Sequence, residues 1–151
     1  MIDPEDLVAE LVALLQAIPE LVTAMGEDAT RIYGHADQYP QNVNLARAVH
    51  GALSPSVMVA YRGFGPGSMG AGQPIKHAIT LYVRPGINGS CSAIGKLLID
   101  GVPAGQPLPM VSATVDDDLD PMFLEGNYES QEDAEGVEYW QLNISFNQKW
   151  G

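Results

Sequence analysis

Three aspartates in one short segment have the spacing of oxygen ligands for a calcium ion. Asp116, Asp118 and Asp120 occupy the first, third and fifth positions of a calcium-loop pattern. The sixth position, where such loops need glycine, is Pro121, and the twelfth, where they need glutamate, is Asn127. The sequence around the segment indicates no flanking helices. We therefore interpret it as a solvated acidic loop, and a weak divalent-ion site is the alternative.

The single cysteine and the histidines are the other residues that could do chemistry. Cys91 is expected near the N-terminus of a helix, where a thiolate is stabilised, and it could join a histidine and an aspartate in a triad. However, His35, His50 and His77 are scattered over different predicted elements, and no nucleophile elbow, H-E-x-x-H, paired-cysteine or phosphate-loop motif is present in the sequence. We expect no catalysis and no cofactor, and we expect His77 to be a hydrogen-bonded histidine of the core or of an interface.

A glycine-rich segment matches the G-x-G-x-x-G pattern of dinucleotide sites by its letters alone. Residues 65–70 follow a predicted strand, but the chain continues into another strand, whereas a phosphate site needs a helix to begin there. No acidic residue lies at the spacing expected for a ribose contact. We interpret the segment as a hairpin tip that contacts a partner protein, through Phe64, Gly65, Gly67, Met69 and Gly70.

The composition describes an acidic globular domain. The chain has 151 residues, 46% of them hydrophobic and 17% charged, and its formal net charge is -12. No Lys or Arg lies between Lys96 and Lys149, so nucleic-acid binding, which depends on basic side chains, is not expected. No apolar stretch reaches the length of a membrane span, and no basic region precedes the first apolar helix, as a secretory signal would require. One cysteine cannot form an internal disulfide.

Helices are predicted at four places. Asp3 followed by Pro4 and two acids is a helix start, and apolar residues at helical spacing continue from it to Ile18. Pro19 interrupts this pattern, so we expect a break and a short second helix that ends at Gly26. Two further helices are predicted over residues 44–53 and 90–100.

Strands are predicted from period-two alternation of apolar and polar residues, over residues 56–62, 77–84, 110–115 and 140–147. The predicted fold is α+β: an antiparallel four-stranded sheet with helices packed on one face, in one domain spanning residues 1–151. Two long loops are expected, over residues 63–74 and 116–136. The second contains nine of the nineteen acids, and loops of such length are usually functional or disordered.

The order of these segments resembles that of a known family of virion proteins. A helical stretch ending in Ile-Pro-Glu-Leu-Val is followed by the link Asp28–Tyr33, the segment Asn44–Val49, the strands Pro55–Tyr61 and Lys76–Val83, and the final strand Glu138–Phe146. Over most of its length the chain resembles the tail-terminator (tail-completion) proteins of long-tailed, non-contractile bacteriophages or prophages.

The resemblance implies a structural virion protein that assembles in the host cytoplasm and resides in the tail or neck of the virion. Such a subunit forms a homo-oligomeric ring, typically a hexamer, on the last ring of tail tube protein, ends tube polymerisation and joins the tail to the head connector protein. DNA passes through such a ring without being held, and a negative lumen would lower phosphate affinity. We therefore expect a clustered set of acids on the channel wall or the head-facing rim, namely Asp116, Asp117, Asp118 and Asp120.

Two other functions remain open from the sequence. One is a head-completion or neck adaptor protein, which has a similar size. The other is a small metal-dependent binding protein or enzyme that uses the Asp116–Asp120 segment or Cys91. No membrane partner is expected.

Overall fold

The computed structural model describes residues 3–38, 48, 55–66, 75–85, 90–101, 123–132, 136 and 138–148. Its first helix, α1, spans Pro4–Gln16, and the carboxylate of Asp3 caps it by accepting a hydrogen bond from the Glu5 amide at 2.9 Å. Helix α2 spans Pro19–Ala24. The predicted helix start, the break at Pro19 and the end of the second helix near Gly26 are therefore confirmed.

A compact link joins these helices to the sheet. It consists of a 3-10 turn at Ala29–Arg31, strand β1 at Ile32–Gly34 and helix α3 at His35–Gln38. The side-chain amide of Gln16, at the end of α1, donates to the carbonyl oxygens of Ala29 and Ile32 at 2.9 and 2.8 Å. These two bonds fix the start of β1 against α1.

The remaining elements form two hairpin-like strand pairs with a helix between them. Strand β2 spans Ser56–Pro66, β3 Ile75–Arg84, α4 Cys91–Gly101, β4 Phe123–Glu132 and β5 Glu138–Gln148. The predicted strands at 56–62, 77–84 and 140–147 are confirmed and extend further than expected, and the predicted helix at 90–100 is confirmed.

The described residues form a sheet of five strands in the order β1-β2-β3-β5-β4, so the prediction of four strands was wrong in number. Pairing is antiparallel between β2 and β3, β3 and β5, and β5 and β4, but β1 runs parallel to β2 with Ile32 opposite Val57. The prediction of a purely antiparallel sheet was therefore also wrong. Short β1 can be parallel because a long connection, residues 35–55, separates it from β2.

One face of the sheet carries the main hydrophobic core. Alternate residues of β2, β3 and β5 on this face are buried together with the apolar sides of α1, α2 and α4. A smaller cluster lies on the opposite face and consists of Tyr33, Ala48, Met58, Ala60 and Tyr82, with Tyr139 packed against it. Among the described residues no helix is long and apolar enough to cross a membrane.

Two predictions about connecting segments need correction or stay open. The expected loop at 116–136 was wrong over Phe123–Glu132, which is β4, and the loop expected at 63–74 was wrong over residues 63–66, which belong to β2. The predicted strand at 110–115 lies outside the described residues, and so does the predicted helix at 44–53 apart from Ala48, which is helical.

Candidate partner-binding site

The far end of the β2–β3 pair, residues 61–66 of β2 and 75–79 of β3, is shaped by a β-bulge; we call it the ribbon end. Tyr61 lies opposite Ile79, whereas Gly63 lies opposite Ala78, so Arg62 is an extra residue in β2. Gly63 has a φ of 142°, which a glycine adopts without the steric cost of a side chain. Because residues opposite each other share a face, the bulge changes which residues of β2 point to each side.

Phe64 is the residue whose position depends most on this bulge. It lies opposite His77, on the face of the sheet that carries the main core, yet 60% of its surface is exposed. Ile99 on α4 is another exposed large apolar side chain. An aromatic side chain held outward on a strand is an anchor suited to a pocket on another protein.

A chain of hydrogen bonds joins three strands at the ribbon end. His77 is fully buried; its Nδ1 lies 2.7 Å from the hydroxyl of Tyr61 and its Nε2 lies 2.9 Å from Oε1 of Gln148. Since Oε1 is only an acceptor, Nε2 carries the proton and donates, and Nδ1 accepts from the tyrosine. Burial raises the pKa of Tyr61. The three residues tie β2, β3 and β5 together beneath Phe64.

This geometry confirms the hydrogen-bonded role predicted for His77. Both of its ring nitrogens are hydrogen-bonded, one to β2 and the other to β5. His35 lies at the start of α3, and His50 lies outside the described residues. No group of three or more His, Cys, Asp and Glu side chains that could hold a metal ion is found in the described part of the chain.

The structure places Cys91 at the start of α4 but does not make it reactive. The hydroxyl of Ser90 caps the helix by accepting from the Ala93 amide at 3.2 Å. The thiol is only 5% exposed. Burial, aided by the nearby Glu138 carboxylate, raises the pKa of Cys91 to about 11. Helix N-termini lower thiol pKa values, but burial has the larger effect here, so the expectation of a stabilised thiolate was wrong.

Some of the residues predicted for an interface lie within the part of the chain that the structure describes, and the predicted acids lie outside it. Phe64 and Gly65 lie on β2 at the ribbon end. Gly67, Met69 and Gly70 lie outside the described residues. The acids predicted for a metal site or for a lumen also lie outside them: Asp116, Asp117, Asp118 and Asp120.

Sequence reasoning missed two features of this site. The first is the bulge at Arg62, for which an isolated glycine inside a strand pattern, Gly63, is the available signal. The second is the bonding of His77 to Tyr61 and Gln148, which are 16 and 71 residues away from it. No local pattern reports such distant pairings.

The fold of the chain is shared with a chain of a solved virion. No family model matches the sequence, and no curated protein matches it. Seven chains of solved structures match. One of them belongs to the virion of a native gene transfer agent particle; it is 15% identical, with a TM-score of 0.55, and the match covers 95% of this chain and 94% of that chain. At this level of identity the likeness shows the fold.

Proposed function

We propose that this protein is a structural virion protein that forms a ring on the end of the tail tube, stops tube polymerisation and joins the tail to the head connector. The observation that carries the proposal is the shared fold with a chain of a gene transfer agent virion, which extends over nearly the whole of both chains. The order of segments along the sequence, which resembles the tail-terminator family, supports the finer assignment to the tail end.

The ribbon end supports this role with a suitable contact. Phe64 is exposed, whereas the residues beneath it, His77 and Gln148, are buried and hydrogen-bonded to each other. A preorganised anchor of this kind binds without a large entropic cost of ordering. We assign the ribbon end to the contact with the tail tube, made through Phe64 together with residues that follow it in the sequence: Gly65, Gly67, Met69 and Gly70.

The role requires no catalytic group and no cofactor, and we propose that the protein has neither. The two residues with the most nucleophilic or basic potential among those described are Cys91 and His77. Burial holds the pKa of Cys91 at about 11, and the ring of His77 is committed at both nitrogens.

The acids of residues 116–120 belong to the proposal as the wall of the channel or its head-facing rim. A negative lumen disfavours phosphate binding, so DNA can pass without being retained. Cryo-electron microscopy of the ring tests this placement directly. Density that places Asp116, Asp117, Asp118 and Asp120 on the outer circumference would remove them from this role.

Electron microscopy of the purified protein, alone and mixed with tail tubes of the same particle, tests the function. We expect rings in the protein alone and caps at the ends of the tubes. A protein that leaves tube ends bare and binds isolated head connectors instead would be a head-side adaptor, and the proposed tail-end role would be wrong.

Phe64→Ser provides a sharper form of the same experiment, and Ile99→Ser is its matched control. Both substitutions remove one exposed large apolar side chain, but only the first lies at the ribbon end. We expect capping to be lost with Phe64→Ser and kept with Ile99→Ser. Equal capping by both variants would show that the ribbon end does not contact the tube.

A further inference from the structure

Charges are segregated along the chain far more strongly than its net charge suggests. Residues 38–99 contain none of the nineteen acids but five of the seven bases, whereas residues 100–148 contain eleven acids and no base. The five bases of the first segment are Arg47, Arg62, Lys76, Arg84 and Lys96. Although the protein as a whole is acidic, the Asp, Glu, Lys and Arg residues of this long segment are therefore all basic ones.

The fold converts this segregation into a polarised sheet. The basic stretch supplies β2 and β3, which are neighbours, and the acidic stretch supplies β5 and β4, which complete the sheet on the other side. Strands β2 and β3 carry Arg62, Lys76 and Arg84 and no carboxylate, while the 123–148 segment carries six acids and no base. Positive and negative charge thus lie on opposite halves of one sheet.

The basic half has an open edge at the ribbon end. Strand β1 pairs only with residues 57–59 of β2, so the part of β2 that contains Arg62 has no strand on its outer side among the described residues. Arg62 is exposed, and its guanidinium donates to the Tyr82 hydroxyl at 3.2 Å. The bulge and the charge of Arg62 make it unfavourable for any strand of another protein to pair with this edge of β2. A partner that binds at this edge is therefore selected by the charge of its side chains.

The acidic half ends in strand β4, which pairs with β5 alone among the described strands. The side chains of Glu129 and Glu132 on β4 are exposed, and they flank the outer edge of this strand from opposite faces of the sheet, because Glu129 lies opposite Gln141 and Glu132 opposite Glu138. Glu132 lies directly opposite Glu138 of β5, and like charges in this arrangement destabilise an isolated pair of strands. A basic surface placed against β4 would relieve this repulsion.

We infer that copies of this chain associate head to tail, with the ribbon end of one copy, through Arg62 and Lys76, lying against Glu129 and Glu132 of strand β4 in the next copy. The inference rests on the proposed ring and specifies its subunit contact. The two surfaces differ from each other: Arg62 lies on the open part of β2 with Lys76 on the neighbouring strand β3, whereas Glu129 and Glu132 lie on β4 at the other edge of the sheet. Such a heterologous contact closes into a ring when its rotation permits, and complementary charge fixes its register and excludes wrong partners.

Two charge-reversed variants test the contact. The basic variant carries Glu129→Lys with Glu132→Lys, and the acidic variant carries Arg62→Glu with Lys76→Glu. Each variant alone opposes like charges at every contact, so we expect the concentration needed for half-assembly to rise about tenfold or more. In an equal mixture, contacts between unlike variants join opposite charges again, so alternating rings should return. This recovery also demonstrates that both variants are folded.

The single variants Arg62→Glu and Lys96→Glu form a matched pair, because Lys96→Glu makes the same reversal of charge at an exposed residue of α4 and serves as the control. We expect the control to assemble like the unaltered protein. Assembly of the unaltered protein should also weaken between about 0.1 M and about 1 M salt, as the screening length falls from about 10 Å to about 3 Å.

Sedimentation of the protein without tubes measures the contact between subunits, whereas capping of tubes measures the proposed function. The subunit contact and the proposed function can therefore be disproved separately. Unaltered rings that cap tubes, together with an equal mixture that does not reassemble, would overturn the contact and leave the function standing. Reassembly of the mixture without any capping would do the reverse. A chain that stays monomeric at every concentration would overturn the contact.

Discussion

Replacement of Gly95 by alanine should destabilise the protein, although the same change stabilises most helices. Gly95 lies in the middle of α4, beneath the ring of Tyr128 from β4. A Cβ atom at this position would lie 2.5 Å from Cδ1 and 2.7 Å from Cζ of that ring. Carbon atoms in contact prefer about 3.5–4.0 Å, so the ring would have to move by about 1 Å.

The ring of Tyr128 is not free to make this movement. Its hydroxyl donates to the carbonyl oxygen of Cys91 at 2.7 Å, and its centroid lies 4.9 Å from that of Trp140. Overpacking of this kind costs about 1–3 kcal/mol, and loss of the hydrogen bond would add about 1 kcal/mol. The helical preference of alanine returns only about 0.5–1 kcal/mol.

We therefore expect Gly95→Ala to lower the free energy of unfolding by about 1–3 kcal/mol, measured by urea unfolding followed by circular dichroism. The control is the same change made in a Tyr128→Ala background, where the obstacle is absent. There Gly95→Ala should stabilise the protein by about 0.5–1 kcal/mol. An increase in stability in both backgrounds would refute the packing of Tyr128 on α4.

Three further outcomes are expected. His77→Phe keeps an aromatic ring but leaves Tyr61 and Gln148 without their partner, so urea unfolding should show a loss of about 1–3 kcal/mol. Cys91 should not react with a thiol reagent at neutral pH until the protein is unfolded, because the buried thiol has its pKa raised from 9.0 to about 11. As the pH rises, the thiol of the unfolded chain ionises at a lower pH than the thiol of the folded protein. The contribution of Cys91 to the free energy of unfolding is therefore complete below pH 9 and is lost as the pH rises towards 11. The Cys91→Ala variant should not show this loss. Phe64→Ser should change the free energy of unfolding by no more than about 0.5 kcal/mol, since the side chain is 60% exposed.

Each of these outcomes has a contrary result. A His77→Phe protein as stable as the unaltered one would show that the buried hydrogen bonds contribute nothing net. Rapid labelling of folded Cys91 at neutral pH would show that the thiol is accessible. A marked loss of stability in Phe64→Ser would mean that this side chain packs within its own subunit.

Local sequence patterns predicted those helices and strands whose position depends on interactions between residues close together in the sequence. The cap at Asp3, the interruption at Pro19 and the alternation along β3 and β5 each depend on neighbouring residues. The α+β class followed from them. The helices α1, α2 and α4 do share one core with one face of the sheet, as expected, while the opposite face has its own buried cluster.

The missed strands lacked such patterns. Strand β1 has three residues, too few for an alternation to be seen, and depends on its parallel pairing with β2. Strand β4 reads as a polar loop because Ser130 and Glu132, which lie opposite Trp140 and Glu138 on the core-facing side of β5, are polar. Its register also shifts between Glu125 and Glu129, where Gly126, Asn127 and Tyr128 together lie opposite one residue of β5.

The candidate site was predictable only in part for the same reason. Exposure of Phe64 could be suspected from an aromatic residue between glycines. The direction of the Phe64 side chain depends on the bulge at Arg62. The hydrogen bonds at the ribbon end depend on the contact of His77 on β3 with Gln148 on β5. Both follow from strand register, which is a property of the assembled sheet.

Growth of tail tubes in the presence of the protein tests the central claim most directly. Tail tube protein is allowed to polymerise, the protein is added at increasing ratios, and tube lengths are measured by electron microscopy. We predict that growth stops once the amount added suffices for one ring at each growing end, far below one copy per tube subunit. Tubes that continue to lengthen with the protein in excess would contradict it.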